Sequence, residues 1–173
     1  TSSVTQSGWW WGEPWWGMND FELSTQVPHP SPPAPPADPG VWTFVVRERW
    51  PGASGWVGVP DPILPSTITS CGHLGTMLGG YNVFGPGAYA EKTFSGLPPH
   101  SALRITLTFY RVDAWRDGVG LVLVDGMKAY QKSFHYLERG SISACGRGGH
   151  SLNNEIPAYV DVTVDHFSDS ATV

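Results

Sequence analysis

Charge is scarce in this chain. Asp, Glu, Lys and Arg make up 14% of its 173 residues, against the roughly 25% usual in soluble globular domains. The net charge is −5, and the Lys and Arg residues form no run. Nothing therefore offers an electrostatic footprint for a phosphate backbone, and nucleic acid is not an expected partner. Cysteine is almost absent: Cys71 and Cys145 are the only two. No Cys-x-x-Cys spacing exists, so a thiolate zinc site has no support. No apolar run approaches the ~20 residues that cross a bilayer, and membrane insertion is not expected. No leader-like segment opens the chain, and residue 1 reads as a mature end after processing or as a cut.

Catalytic motifs are missing too. The histidines, His29, His73, His100, His135, His150 and His166, include no i,i+4 pair and no acid at a zincin spacing. There is no Gly-x-Ser-x-Gly elbow and no glycine-rich phosphate loop followed by Lys-Ser/Thr. The nearest glycine-rich stretch, Gly146-Arg147-Gly148-Gly149-His150, reads more simply as a flexible loop. An enzyme is not the expected function.

What is abundant is glycine, 21 residues, and proline, 16. Together they make turns frequent and long helices unfavourable, because proline removes a backbone donor and glycine raises the entropy cost of order. Length favours one core over two. The even cysteine count invites one bridge, Cys71–Cys145, with two buried free thiols as the alternative. Closing a loop 74 positions long (145 − 71) is worth roughly 4 kcal/mol and requires an oxidising compartment. The sequence thus points outside the cell.

Three regions follow one another. Residues 1–27 hold five of the nine tryptophans, Trp9, Trp10, Trp11, Trp15 and Trp16, outside any periodic pattern. A fully buried aromatic side chain is worth about 2–3 kcal/mol. Five exposed tryptophans would form an adhesive patch, so the segment reads as an anchor for a partner surface. The alternative is a cover strand folded back on the same domain. Residues 28–40 are proline-dense and read as a polyproline II spacer of roughly 35–40 Å, with a docking site for a proline-reading domain as the other possibility.

From residue 41 to 173 the period changes to two. Trp42, Phe44 and Val46 alternate with Thr43, Val45 and Arg47, and Leu103, Ile105, Leu107 and Phe109 alternate more cleanly with Arg104, Thr106, Thr108 and Tyr110. Gly120–Val124 is continuously apolar and ends in Asp125-Gly126, a strong hairpin signal before Met127–Phe134. Val160, Val162 and Val164 alternate with Asp161, Thr163 and Asp165. Short strands between Gly and Pro turns, with no amphipathic helix, predict an all-β antiparallel sandwich. Ala171-Thr172-Val173 stops as if another strand were starting, which reads as a domain lacking its last strand; the missing strand would leave an open sheet edge for more of the polypeptide or a partner chain to cover.

Cys71-Gly72, Leu78-Gly79-Gly80, Phe84-Gly85, Lys92-Thr93-Phe94, Leu97-Pro98-Pro99-His100, Phe109-Tyr110, Val112-Asp113-Ala114-Trp115 and Val124-Asp125-Gly126 resemble, in order and spacing, a module of ciliate and green-algal surface proteins. Cys145-Gly146 and Val160–His166 look like the later part of that module. The resemblance covers residues 71–166 and implies a galactose-binding-like jelly roll with one more strand to come. The proline-rich stretch is similar to hydroxyproline-rich segments of algal wall and flagellar glycoproteins. That implies hydroxylation and O-glycosylation at Pro30, Pro32, Pro33, Pro35 and Pro36. Together the two resemblances imply a structural or adhesive module of an extracellular filament, coat or flagellar mastigoneme. Its partners would be other copies or subunits of the assembly. A carbohydrate-binding module is the second expectation, and an accessory domain of a larger enzyme or channel the third.

Two ligand sites are candidates. Asp113 and Asp117 flank Trp115 in a loop that could offer oxygen to Ca²⁺, though the ligand set is incomplete and a solvated charged turn explains it as well. The Trp115 ring could stack on a sugar.

Overall fold

The computed structural model describes residues 2–5, 15–27, 41–59, 67–135, 137–147 and 150–173. They form thirteen strands in chain order: β1 (Ser2–Thr5), β2 (Trp15–Gln26), β3 (Trp42–Glu48), β4 (Val57–Val59), β5 (Ile68–Ser70), β6 (Thr76–Gly80), β7 (Tyr89–Glu91), β8 (Thr93–Ser95), β9 (Ala102–Val112), β10 (Gly118–Val124), β11 (Met127–Phe134), β12 (Ile156–Asp165) and β13 (Ser170–Thr172). One sheet runs β11-β10-β1-β7-β4 and the other β12-β9-β2-β6-β5, with β3 also paired to β2 and β13 paired to β8. Every described pairing is antiparallel. The molecule is the all-β sandwich that the short alternating strands predict.

The clearest strand is β9, where Leu103, Ile105, Leu107 and Phe109 are all buried against the opposite sheet. Asp125 and Gly126 take φ of 50° and 79°, the positive pair that a two-residue hairpin matching strand twist requires. Val124 and Met127 face each other across it.

The N-terminal division differs from expectation. Of the expected 1–27 anchor segment, the described stretch Trp15–Gln26 is β2, which lies inside the second sheet, with β9 along one edge and β6, then β3, along the other. Trp16 is fully buried, stacked on Phe109 with ring centroids 5.3 Å apart and tilted against Phe84 at 4.7 Å. The strand escapes period-two reading because of a bulge. Trp16 and Met18 point into the core, Asp20 is exposed at φ 51°, and Phe21 and Leu23 then point inward. The β2–β9 register slips between Asn19 and Glu22. One extra residue flips the parity of the side chains. A second bulge, in the β2–β3 pairing between Leu23 and Ser24, leaves Phe44 56% exposed although alternation places it with the buried set.

Of the spacer segment only the two flanks are described. Gln26 pairs with Trp42, and the Val27 N–H donates to the Val41 carbonyl at 3.4 Å. Residues 28–40, and with them the polyproline II reading, lie outside the described residues; their flanks are neighbours on adjacent antiparallel strands. Pro30, Pro32, Pro33, Pro35 and Pro36 fall in this segment.

Of Ala171-Thr172-Val173, expected to start a strand, Ala171 and Thr172 belong to the C-terminal strand β13 and Val173 follows it. Ala171 and Val173 are buried, β13 pairs with β8, and Val173 and Lys92 exchange both backbone hydrogen bonds at 3.0 Å.

A second, smaller core lies on the far face of the second sheet. Trp15, Cys71, Met77, Tyr110 and Val112 pack there beneath Ala144 and Cys145. The expected disulfide is present: Cys71 and Cys145 are bonded, with Cα atoms 4.9 Å apart. It pins the 137–147 region to the start of the Gly72–Leu74 turn. Gly79, at φ 79°, is a β6 residue of this sheet where a Cβ would sit 2.6 Å from the Trp16 carbonyl oxygen, so glycine there lets the β2 and β6 backbones approach.

Candidate functional site

Alternation along β12 sends Val160 into the core and Tyr159 and Asp161 outward. Register then fixes their neighbours: Tyr159 sits opposite Thr108, Asp161 opposite Thr106, and Thr163 opposite Arg104. On the next strand Thr106 faces Glu22 and Arg104 faces Ser24. Glu22 faces Arg47, and Ser24 faces Phe44. The result is one outward surface across β12, β9, β2 and β3. A shallow groove in it is lined by Glu22, Ser24, Arg104, Thr106 and Tyr159.

Its two cations are both engaged. Arg104 donates from Nε and Nη2 to the two oxygens of Asp161 at 2.8 and 2.6 Å. That fork raises the guanidinium above its ordinary value and holds the Asp161 carboxyl below the usual carboxylate range, the hydrogen bond being the largest cause for each. Arg47 donates from Nε and Nη2 to Glu22 Oε2 at 3.0 and 2.7 Å. Around the groove these two cations and two anions cancel, so its surroundings are polar but locally neutral. Tyr159 is 69% exposed beside it, presenting an apolar ring with a hydroxyl tip. Planar pairs with free acceptor and donor sites, hydroxyls and one exposed ring form a surface suited to a ligand carrying many hydroxyl groups on an apolar frame.

The residues singled out from sequence fall elsewhere. Trp115 is not an exposed stacking platform: it is fully buried, edge-on to Phe134 with centroids 5.0 Å apart, and its Nε1–H donates to the Trp15 carbonyl at 3.0 Å. Trp15 and Trp16 are likewise core residues of their own domain and not partner anchors. Trp9, Trp10 and Trp11 lie outside the described residues.

The calcium pair is not gathered either. Asp113 is buried at φ 58°, and its Oδ1 accepts the Arg147 N–H at 2.8 Å. Asp117 is exposed, with one oxygen 3.7 Å from His135 Nε2. Among the described residues the one cluster of three metal-ligating groups is Cys71, Cys145 and Glu155, and its two sulfurs are bonded to each other.

Asp113 belongs instead to a buried polar layer that fastens the 137–155 region. Arg111, fully buried, donates to the carbonyls of Glu138, Leu152 and Asn154 at 2.9, 3.2 and 3.1 Å. Glu155, also buried, accepts the Ala144 N–H at 2.8 Å. Burial disfavours charge on each member: it lowers the Arg111 guanidinium and pushes the Asp113 and Glu155 carboxyls up. Their partners are backbone groups of this chain, which makes the layer architectural.

Sequence reasoning passed over Tyr159, yet the signal was present. It alternates with Val160 and Val162 in the same odd-numbered set as Asp161 and Thr163, and that parity already marks it as outward. No helix of the described residues is long and apolar enough to cross a membrane. Compared with protein-family models, with curated proteins and with solved structures, the chain matches none.

Proposed function

We propose that this chain is a non-catalytic adhesive module of an extracellular assembly, and that it adheres by binding neutral glycan on the outward face of its second sheet. The observation that carries the reading is the groove in which exposed Tyr159 stands beside the Arg104–Asp161 fork, Glu22, Ser24 and Thr106. A pyranose has an apolar face for the ring and equatorial hydroxyls for the paired charges. The internal neutralisation of Arg47 and Arg104 favours uncharged sugars over sulfated or uronic ones. The disulfide supports an oxidising, extracellular setting. A jelly-roll, galactose-binding-like strand order and kinship with algal or ciliate coat proteins belong to the same proposal, as does O-glycosylation of the 28–40 prolines.

With two of the five anchor tryptophans in the core and the C-terminal strand paired, assembly through those ends loses support, and the sheet face takes over the adhesive role. An array of neutral and acidic glycans, followed by calorimetry, tests this. Binding near a Kd on the order of 0.1–1 mM, about −4 to −5.5 kcal/mol, that weakens at least about tenfold in Tyr159→Ala and Arg104→Met supports the proposal. Silence across the array, or binding indifferent to both substitutions, removes it.

A further inference from the structure

His100 and His166 are buried at 4% and 7% exposure, with nearly parallel rings. Three contacts run through them in series. His100 Nδ1 meets the Pro98 carbonyl oxygen at 2.7 Å, His100 Nε2 meets His166 Nδ1 at 2.7 Å, and His166 Nε2 meets Asp125 Oδ2 at 3.0 Å. Each is a hydrogen-bond distance, so each needs one proton between its two atoms. The carbonyl has none to give. Asp125 has none either, because its other oxygen accepts the Thr172 N–H at 2.8 Å and its exposed carboxylate acts as an acceptor on both sides. All three protons must therefore come from two imidazoles, and two neutral imidazoles carry only two.

We infer that His100 and His166 together hold one extra shared proton, balanced by Asp125, and that this proton latches the C-terminal strand onto the sandwich. The trio joins four chain segments at one end of the fold. Asp125 holds β13 in both directions, donating its own N–H to the Thr172 carbonyl at 2.8 Å as well as accepting from Thr172. His166 donates its backbone N–H to the Ser101 carbonyl at 3.1 Å. Behind β13 sit Ala171 and Val173 in the core. If the extra proton leaves, one of the three contacts becomes lone pair against lone pair, and the seat of Asp125 under Thr172 loosens.

The other charged groups lining the groove beside His166 and Asp125 are Lys128 and Asp165, opposite in sign, so neither sign of field dominates the pair.

Nitrogen-15 spectra of histidine-labelled protein, with amide exchange at Thr172 and Val173 corrected for intrinsic rates, test the latch directly. At about pH 6 the spectrum is expected to show three protonated nitrogens across the two rings. Protection of both amides is expected to fall at least about tenfold in His166→Gln, which breaks the series of contacts. Two neutral rings, or amide protection unchanged in the variant, overturn the inference. The wild-type spectrum decides the matter even if the variant does not fold.

Discussion

Val27 and Val41 are hydrogen-bonded to each other through their backbones at 3.4 Å, although the most proline-dense segment of the chain, residues 28–40, lies between them. The two flanks of that segment are therefore adjacent in the second sheet. It follows that residues 28–40 can be exchanged for a short Gly/Ser turn. Shortening thirteen residues to about four should leave the fold intact and change stability by no more than about 1 kcal/mol, the loop-closure difference. Thermal melts of the loop-replaced chain check this, and loss of folding would show that the segment does more than connect.

Trp16 separates a core strand from a free anchor. Its Ala variant should cost about 3–5 kcal/mol, a large share of the roughly 5–15 kcal/mol that a domain has in total. Urea unfolding of Trp16→Ala measures it. A variant as stable as the parent would return the tryptophan to the surface.

The Cys71–Cys145 bond fastens the cover of the smaller core. Replacing both cysteines with serine should lower stability by about 2–5 kcal/mol. The exposure it causes should appear first around Trp15, Met77 and Tyr110, which lie beneath it. Hydrogen exchange mapped along the chain, with and without reductant, shows whether the loss starts there.

Asp113 and Glu155 supply a pH signature. Burial raises both carboxyls, so the folded chain holds these protons more tightly than the unfolded chain. Their stabilising contribution is present below the ordinary carboxylate range and is lost as pH rises through the raised folded values. Glu155→Gln keeps an acceptor for the Ala144 N–H and removes the charge. The variant should therefore gain on the parent as pH rises from about 4 to about 7. Urea midpoints across that range read the difference, and parallel curves would contradict it.

The sandwich was legible where one side-chain parity runs unbroken. From Leu103 to Phe109 on β9 and from Val160 to Val164 on β12 the apolar residues alternate strictly, and the Asp125-Gly126 turn announces its hairpin by residue type alone. Along β2 the parity flips at Asp20, so Trp16 and Met18 fall out of phase with Phe21 and Leu23, and the central strand looked like an aperiodic tail. A bulge is a tertiary fit that local pattern does not encode. Trp115 misled for another reason: it stands between polar residues in a loop, but its ring turns inward, where Phe109, Phe134 and the Trp15 carbonyl receive it. The sheet face could be read only in part. Parity puts Tyr159 outside, but its meeting with Glu22 and Ser24 depends on which strands neighbour which, and that is fixed by the whole fold.

The account rests on the outward face of β12, β9, β2 and β3. Amide and side-chain NMR shifts recorded while titrating a neutral oligosaccharide into the intact chain test it most directly. The account predicts saturable shifts concentrated on Glu22, Ser24, Arg104, Thr106 and Tyr159, the residues that line the groove. Shifts gathered on any other surface would contradict it.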